Sequence, residues 1–147
     1  MEWTKDDFII TTDKSMIDAA YVHWFVSNSY WAEGVPIETV QKSIDGSLCF
    51  SVVYLNHQVG FARVITDEAT FAYLADVFID ENFRGRGLSK WLMEVIMSYP
   101  GLQGLRRFML ATRDAHGLYR QFGFTALTNT DRWMQIHDAE VYKKAKE

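Results

Sequence analysis

A mixed, mostly antiparallel central sheet flanked by helices (α/β in the broad sense, α+β in detail) is the fold class this sequence predicts. Three observations carry it. Leu48–Leu55, Gln58–Thr66 and Thr70–Ile79 are consecutive apolar and β-branched runs separated by short polar turns, the pattern of an antiparallel meander. Leu88, Trp91, Leu92, Val95, Ile96 and Tyr99 then recur at helical spacing. Arg106–Ala111 reads as a further strand beyond that helix, and a crossover helix makes the strands on either side of it parallel.

The other elements follow in chain order. Phe8–Thr12 is a short β candidate. Ser15 opens a first helix, with Asp18 three residues on in a capping-box arrangement. Ile17, Ala20, Tyr21, Trp24 and Phe25 form its apolar stripe. Tyr30–Gly34 is a break. Pro36 suits the first position of a second helix, with Ile37, Val40 and Ile44 on one face and Gly46 as its stop. Asn56-His57 and Asp67-Glu68 are turns of the meander, and Pro100-Gly101 ends the long helix. A short helix spans Ala115–Phe122 with Gly123 as its C-cap. Phe124–Leu127 and Trp133–His137 read as last strands, and the charged tail Val141–Glu147 is expected to fray. Trp24, Trp91 and Trp133 each fall in an apolar pattern and are assigned to the core.

Composition sets the bounds. The 147 residues make one domain, 1–147, of a size that buries about 70% of the surface its unfolded chain exposes. Apolar residues are 48% and charged residues 23%, as in ordinary globular proteins. A net charge of -4 argues against nucleic acid as partner, because such binding leans on clustered cations. Cys49 is the single cysteine, so no intramolecular disulfide is available, and its apolar run points to a buried inert thiol. Met1–Asp7 lacks the basic-then-apolar pattern of a signal peptide. No apolar run reaches the ~18 residues of a membrane span, so a cytoplasmic protein without a membrane partner is expected. His23, His57 and His137 show no metal-ligand spacing, and no metal is expected.

The chemistry concentrates in Asp80–Lys90, which joins a strong strand to a strong helix. Gly85 and Gly87 let the backbone turn tightly and let a ligand approach without a Cβ in the way. Free N–H groups and the positive end of the helix dipole make an anion site there, and Arg84, Arg86 and Lys90 add full charges. A phosphate or pyrophosphate is the natural guest. A Walker loop would need Gly-Lys-Ser/Thr, but Leu88-Ser89 follows Gly87. A dinucleotide fingerprint would need glycine at position 90, which is lysine.

Arg84-Gly85-Arg86-Gly87-Leu88-Ser89 resembles the Arg/Gln-x-x-Gly-x-Gly/Ala signature of the GNAT N-acetyltransferases, with Ser89 as its one departure. Upstream, Tyr73–Ile79 looks like that family's fourth strand. Downstream, Leu118-Tyr119-Arg120-Gln121-Phe122-Gly123-Phe124 looks like its Leu-Tyr-x-x-x-Gly-Phe motif. The resemblance implies a GNAT-like sheet and acetyl-CoA as cosubstrate. It implies coenzyme contacts from Arg84, Gly85, Arg86, Gly87, Leu88, Ser89 and Lys90, and from the backbone of Val77, Phe78 and Ile79. Thr112 stands where many members carry an asparagine contact, seven residues before Tyr119. Tyr119 is implied as the general acid that meets the coenzyme sulfur.

The acceptor side is read from residue type and position. Asp76 is the one charge in an apolar strand, and a buried carboxylate must be paired or neutralised. It suits a catalytic and substrate-binding role, holding an ammonium or taking its proton through water. A structural pairing with Arg63 is the equal alternative. Some relatives carry glutamate just before this position, where this chain has Ala75. Tyr30, Trp31 and Glu33 suit a cationic amine through cation–π and ion-pair contacts, and His116, with Arg113, flanks the far side of the same expected cleft. The leading expectation is acetyl transfer to a primary amine of a small molecule by direct attack in a ternary complex. Acetylation of a protein or peptide amine and a non-catalytic acyl-CoA-binding module are the alternatives. An RNA-binding reading of Phe83–Gly87 fails because the motif is single and the chain acidic. A homodimer is compatible with the fold by analogy alone.

Overall fold

Six strands form one sheet in strict sequence order in the computed structural model, which describes residues 1–144. The strands are β1 (Glu2–Lys5), β2 (Phe8–Thr11), β3 (Leu48–Tyr54), β4 (His57–Thr66), β5 (Phe71–Ile79) and β6 (Arg107–Leu110). All neighbours are antiparallel except β5 and β6, which run parallel. That single parallel pair is joined through the crossover helix α3 (Leu88–Ser98), as parallel neighbours require. Helices α1 (Ala19–Ser27) and α2 (Ile37–Asp45) lie between β2 and β3 in sequence, and α4 (His116–Arg120) and α5 (Val141–Lys144) follow β6. No helix among the described residues is long and apolar enough to cross a membrane.

The alternation of side chains along the strands gives the sheet two apolar faces. Phe50, Val52, Ala62, Val64 and Leu74 pack with Leu92, Met93 and Ile96 of α3. Cys49, Phe61 and Phe78 pack with Val22 and Val26 of α1 and with Val40 and Ile44 of α2. Adjacent residues such as Cys49 and Phe50 therefore serve opposite layers. Burial pushes the Cys49 thiol up to about 11, which keeps it protonated and unreactive near neutral pH.

Several expectations need correction. β1 escaped the sequence reading because Glu2 and Lys5 make half of it charged, a composition suited to a solvent-facing edge. The first helix does not begin at Ser15. Asp13 accepts from Ser15 N at 2.9 Å and closes a separate 3₁₀ turn, and Asp18 then caps α1 through Tyr21 N at 3.1 Å. Its inward face is Val22 and Val26, while Trp24 is 63% exposed. α1 is apolar nearly all round, so periodicity alone selects no unique face. The β3–β4 turn sits at Leu55-Asn56, both in the left-handed region, one residue earlier than expected. Phe124–Leu127 and Trp133–His137 are not strands. Asn129 turns left-handed and a 3₁₀ turn over Thr130–Arg132 redirects the chain, so neither segment pairs with a neighbouring edge. Trp133 is 41% exposed rather than core, and Trp91 is half-buried. Val141–Lys144 is a helical turn, and the remainder of the expected fraying tail lies outside the described residues.

Gly60 shows how tightly the sheet centre is packed. A Cβ there would lie 2.8 Å from Ile79 Cδ1 and 3.1 Å from both Phe78 O and Val52 Cβ. Gly60→Ala is therefore expected to destabilise the protein by about 1–3 kcal/mol. Urea unfolding reads this as a lower midpoint at unchanged slope, and an unchanged midpoint would contradict the packing.

Candidate active site

β5 divides into two halves with different partners. Its pairing with β6 runs from Phe71–Arg107 to Leu74–Leu110 and stops there, while β5 continues to Ile79. On the other side, the pairs Arg63–Ala75 and Phe61–Phe78 leave β5 one residue longer than β4 between them. That extra residue is a β-bulge, and Asp76 at its centre has a φ of 53°. A left-handed aspartate inside a strand persists only where its surroundings hold it. Here Arg63 Nε donates to Asp76 Oδ2 at 2.8 Å and Trp31 Nε1 donates to Oδ1 at 2.8 Å.

A cleft of about 670 Å³ opens where β5 and β6 part. Tyr73–Val77 of β5 form its floor, and Leu110–Ala115 form one side. Tyr30, Trp31 and Val35 from the break between α1 and α2 form the other. The Tyr30 hydroxyl accepts from Arg113 N at 3.3 Å, and the Arg113 guanidinium lies 3.9 Å over the Tyr30 ring. Tyr30 and Trp31 meet edge to face at 5.2 Å. The two sides of the cleft thus touch across its mouth.

Tyr119 lies at the back of the cleft, 9% exposed, on the one-and-a-half turns of α4. Burial raises its pKa above the ordinary phenol value, with smaller contributions from Tyr30 and Asp114. The hydroxyl therefore keeps its proton throughout the physiological range. Thr112 also lines the cleft, and its Oγ1 accepts from Ala115 N at 3.0 Å, fixing the turn into α4.

The glycine turn lies just past the far end of β5. Asp80 Oδ1 accepts from Asn82 N at 3.0 Å, and its Oδ2 accepts from Tyr21 OH at 3.0 Å, tying the turn to α1. Gly85 and Gly87 both have positive φ, 79° and 76°, and a Cβ on either would meet no atom within 4 Å. The space beside each glycine is therefore open, and Gly87 is the N-cap of α3, whose first amides have no intrahelical partner. Arg84 Nε is engaged with Ile79 O at 3.1 Å, so this arginine partly braces the strand end. The Arg86 guanidinium lies 5.3 Å over the Phe83 ring, which packs on Phe8 and Tyr54.

The expected site residues fall into distinct groups. Tyr30, Trp31, Asp76, Val77, Thr112 and Tyr119 meet around one cleft. Phe78 and Ile79 turn their side chains into the core, which leaves only their backbone for a ligand. Arg84, Gly85, Arg86, Gly87, Leu88, Ser89 and Lys90 form the turn and the first turn of α3. Two residues fall elsewhere. Glu33 is exposed and outside the cleft lining, and His116 lines the neighbouring groove on the outer side of β6. In each case the side chain's direction, which sequence spacing does not fix, decides the matter. Thr39 and Ser43 of α2 and Tyr142 of α5 also line the cleft, and only tertiary packing brings them there.

This combination of a split β5–β6 pair and a glycine turn can be set beside known proteins. A family profile for an acetyltransferase (GNAT) domain matches residues 45–126, from the end of α2 to just past α4. The chain belongs to the GNAT acetyltransferase family. A crystal structure of a candidate GNAT acetyltransferase from Xanthomonas campestris pv. campestris is 48% identical, with a TM-score of 0.90 over 92% of this chain and 96% of that one. A candidate acetyltransferase of Gibberella zeae is 29% identical over 80% of this chain and 78% of its own length. A Clostridium acetobutylicum acetyltransferase structure with acetyl-CoA shares the fold at 12% identity, with a TM-score of 0.62 over 88% of this chain and 94% of that one. The GNAT profile thus spans β3, β4, β5, the glycine turn, α3, β6 and α4, and leaves the α1–α2 side of the cleft outside it.

The Arg63–Asp76 pair has side chains only 16% and 11% exposed. Arg63→Met is expected to cost about 2–3 kcal/mol by leaving a mostly buried carboxylate with one donor fewer. Adding Asp76→Asn, which removes the charge, tolerates the left-handed backbone and keeps an acceptor for Trp31, should recover most of that loss. Equal or additive losses in the double variant, read by guanidinium unfolding, would show that the pair does not hold the bulge.

Proposed function

We propose that this acetyltransferase moves the acetyl group of acetyl-CoA to a primary amine of a small molecule, by direct attack in a ternary complex. The observation that carries the reading is the continuity of β5. The strand runs along the cleft floor at Tyr73–Val77 to Ile79, and a 3₁₀ turn over Glu81–Phe83 carries the chain on into Arg84–Ser89. One extended ligand with a diphosphate at one end and a reactive acyl group at the other fits that layout. The open space beside Gly85 and Gly87 suits a pyrophosphate against the amides that open α3, with Arg86 and Lys90 supplying positive charge.

The residues then divide the chemistry. The amine nitrogen attacks the thioester carbonyl carbon, the C–S bond breaks, and the leaving sulfur needs a proton. Tyr119, buried and held neutral, supplies that proton. Asp76 accepts from both Arg63 and Trp31, so its role is to position: it holds the bulge and fixes the Trp31 ring at the cleft wall. The amine's own proton leaves to water. Tyr30 and Trp31 offer aromatic faces to the acceptor.

Thiol release from acetyl-CoA across a panel of polyamines, amino sugars, amino acids and lysine peptides tests the assignment. Saturable turnover on a small amine supports it. Turnover on peptides alone would replace it with a protein acetyltransferase, and binding without any turnover would leave an acyl-CoA-binding module.

Two variants separate binding from chemistry. Gly87→Asp strains a left-handed position by about 1–2 kcal/mol, and in protein shown to be folded it should weaken acetyl-CoA binding at least about 100-fold by placing a carboxylate in the phosphate site. Unchanged affinity would remove the turn from the site. Tyr119→Phe should leave acetyl-CoA affinity intact and lower kcat about 100-fold or more, the range of general acid catalysis. A parallel loss of binding would make Tyr119 a packing residue.

A further inference from the structure

Four charged side chains line the cleft: Arg63, Asp76, Arg113 and Asp114. Two of them neutralise each other. Arg63 and Asp76 form the ion pair at the bulge, and the second oxygen of Asp76 accepts from Trp31. Arg113 and Asp114 have no such partners. Among the described residues neither forms an ion pair, with the other or with any third group, and neither side chain makes a hydrogen bond.

Unpaired charges on a surface loop are ordinarily just hydrated, but these two are held in place. Arg113 N donates to the Tyr30 hydroxyl at 3.3 Å, and the Arg113 guanidinium lies 3.9 Å over the Tyr30 ring, so the side chain is docked across the mouth of the cleft. A guanidinium over an aromatic ring engages it through charge and flat surface. Its N–H fork stays available, and that fork matches a carboxylate through two parallel hydrogen bonds. Asp114 is the next residue on the same loop, and its charge contributes to raising the Tyr119 pKa, so it stands within electrostatic reach of the hydroxyl at the back of the cleft. The Thr112–Ala115 hydrogen bond at 3.0 Å closes the loop around both residues. The cleft thus offers a positive fork at its mouth and, on the adjacent residue, a negative group toward Tyr119.

We propose that the acceptor is a free amino acid, its carboxylate held in the Arg113 fork and its ammonium received by Asp114. This rests on the transferase reading above and narrows its acceptor. A zwitterion satisfies both unpaired charges and adds no net charge to the cleft. A polyamine would instead bring a like charge to Arg113, and a simple amine would leave its fork empty. The ammonium gives one proton to water before attack. The N–C bond then forms, the C–S bond breaks and Tyr119 protonates the sulfur. The second proton shed by nitrogen restores Tyr119 through water, and the product is an N-acetyl amino acid that keeps the carboxylate on Arg113.

Matched pairs of an amino acid and its decarboxylated amine test this by thiol release from acetyl-CoA: lysine with cadaverine, phenylalanine with 2-phenylethylamine, methionine with 3-methylthiopropylamine. In the pair that turns over best, kcat/KM is expected to be about 10–100-fold higher for the acid, the range of hydrogen bonds to a charged group. Equal or faster turnover of the amine would overturn the inference while leaving acetyl transfer to a small amine standing, as would turnover confined to polyamines or amino sugars. No turnover on any amine, by protein that binds acetyl-CoA, would overturn the transferase reading and this inference with it. Arg113→Gln keeps the backbone N–H that meets Tyr30 and should erase the preference for the acid, chiefly through KM. Calorimetric titration of the same amino acid into chain saturated with coenzyme A should show its affinity falling by about 10–100-fold in that variant. A fall of equal size for both members of the pair would make Arg113 only a clasp for Tyr30, and an unchanged preference would place the carboxylate elsewhere; either result overturns the assignment.

Discussion

The ion pair between Arg63 and Asp76 holds β5 at the point where it takes in an extra residue and leaves β6. Much of the site depends on that event. The bulge in β5 lies two residues past Leu74, where the pairing with β6 ends and the cleft opens. Asp76 also reaches Trp31, so the same carboxylate that holds the strand fixes one wall of the cleft. A mostly buried charge pair is a poor source of net stability, because desolvation opposes the attraction. Its value here lies in geometry: two donors at 2.8 Å keep a left-handed aspartate where an unbulged strand would be less strained.

The two apolar layers make the rest of the frame rigid around that point. α3 packs on one face of the sheet and brings the N-terminal amides of its first turn to the end of β5. α1 and α2 pack on the other face and carry Tyr30 and Trp31 to the cleft on the loop between them. The Tyr21–Asp80 hydrogen bond ties α1 to the glycine turn. The cleft and the glycine turn are thus positioned by one strand, and α1 braces both.

The sequence made the centre of the fold legible and its margins less so. The meander, the crossover helix and the glycine turn all follow from patterns stronger than their surroundings, and the structure reproduces them within a residue or two. The turn could be read because glycine spacing reports backbone conformation directly. Asp76 could be singled out as an isolated charge, but its choice between catalysis and pairing with Arg63 needed the distance. Glu33 and His116 were misplaced because neither loop nor short helix has a period that fixes side-chain direction. Trp133–His137 has the alternation of a strand, yet alternation shows only a readiness to pair and names no partner.

The claim on which the functional account rests is that the turn from Arg84 to Ser89 binds the diphosphate of acetyl-CoA. Calorimetric titration of the purified chain with acetyl-CoA, with NAD and ATP as controls, tests it most directly. The account predicts saturable binding of acetyl-CoA at one site per chain, with neither control competing. Absence of acetyl-CoA binding by folded protein, or equal binding of the other nucleotides, would contradict it.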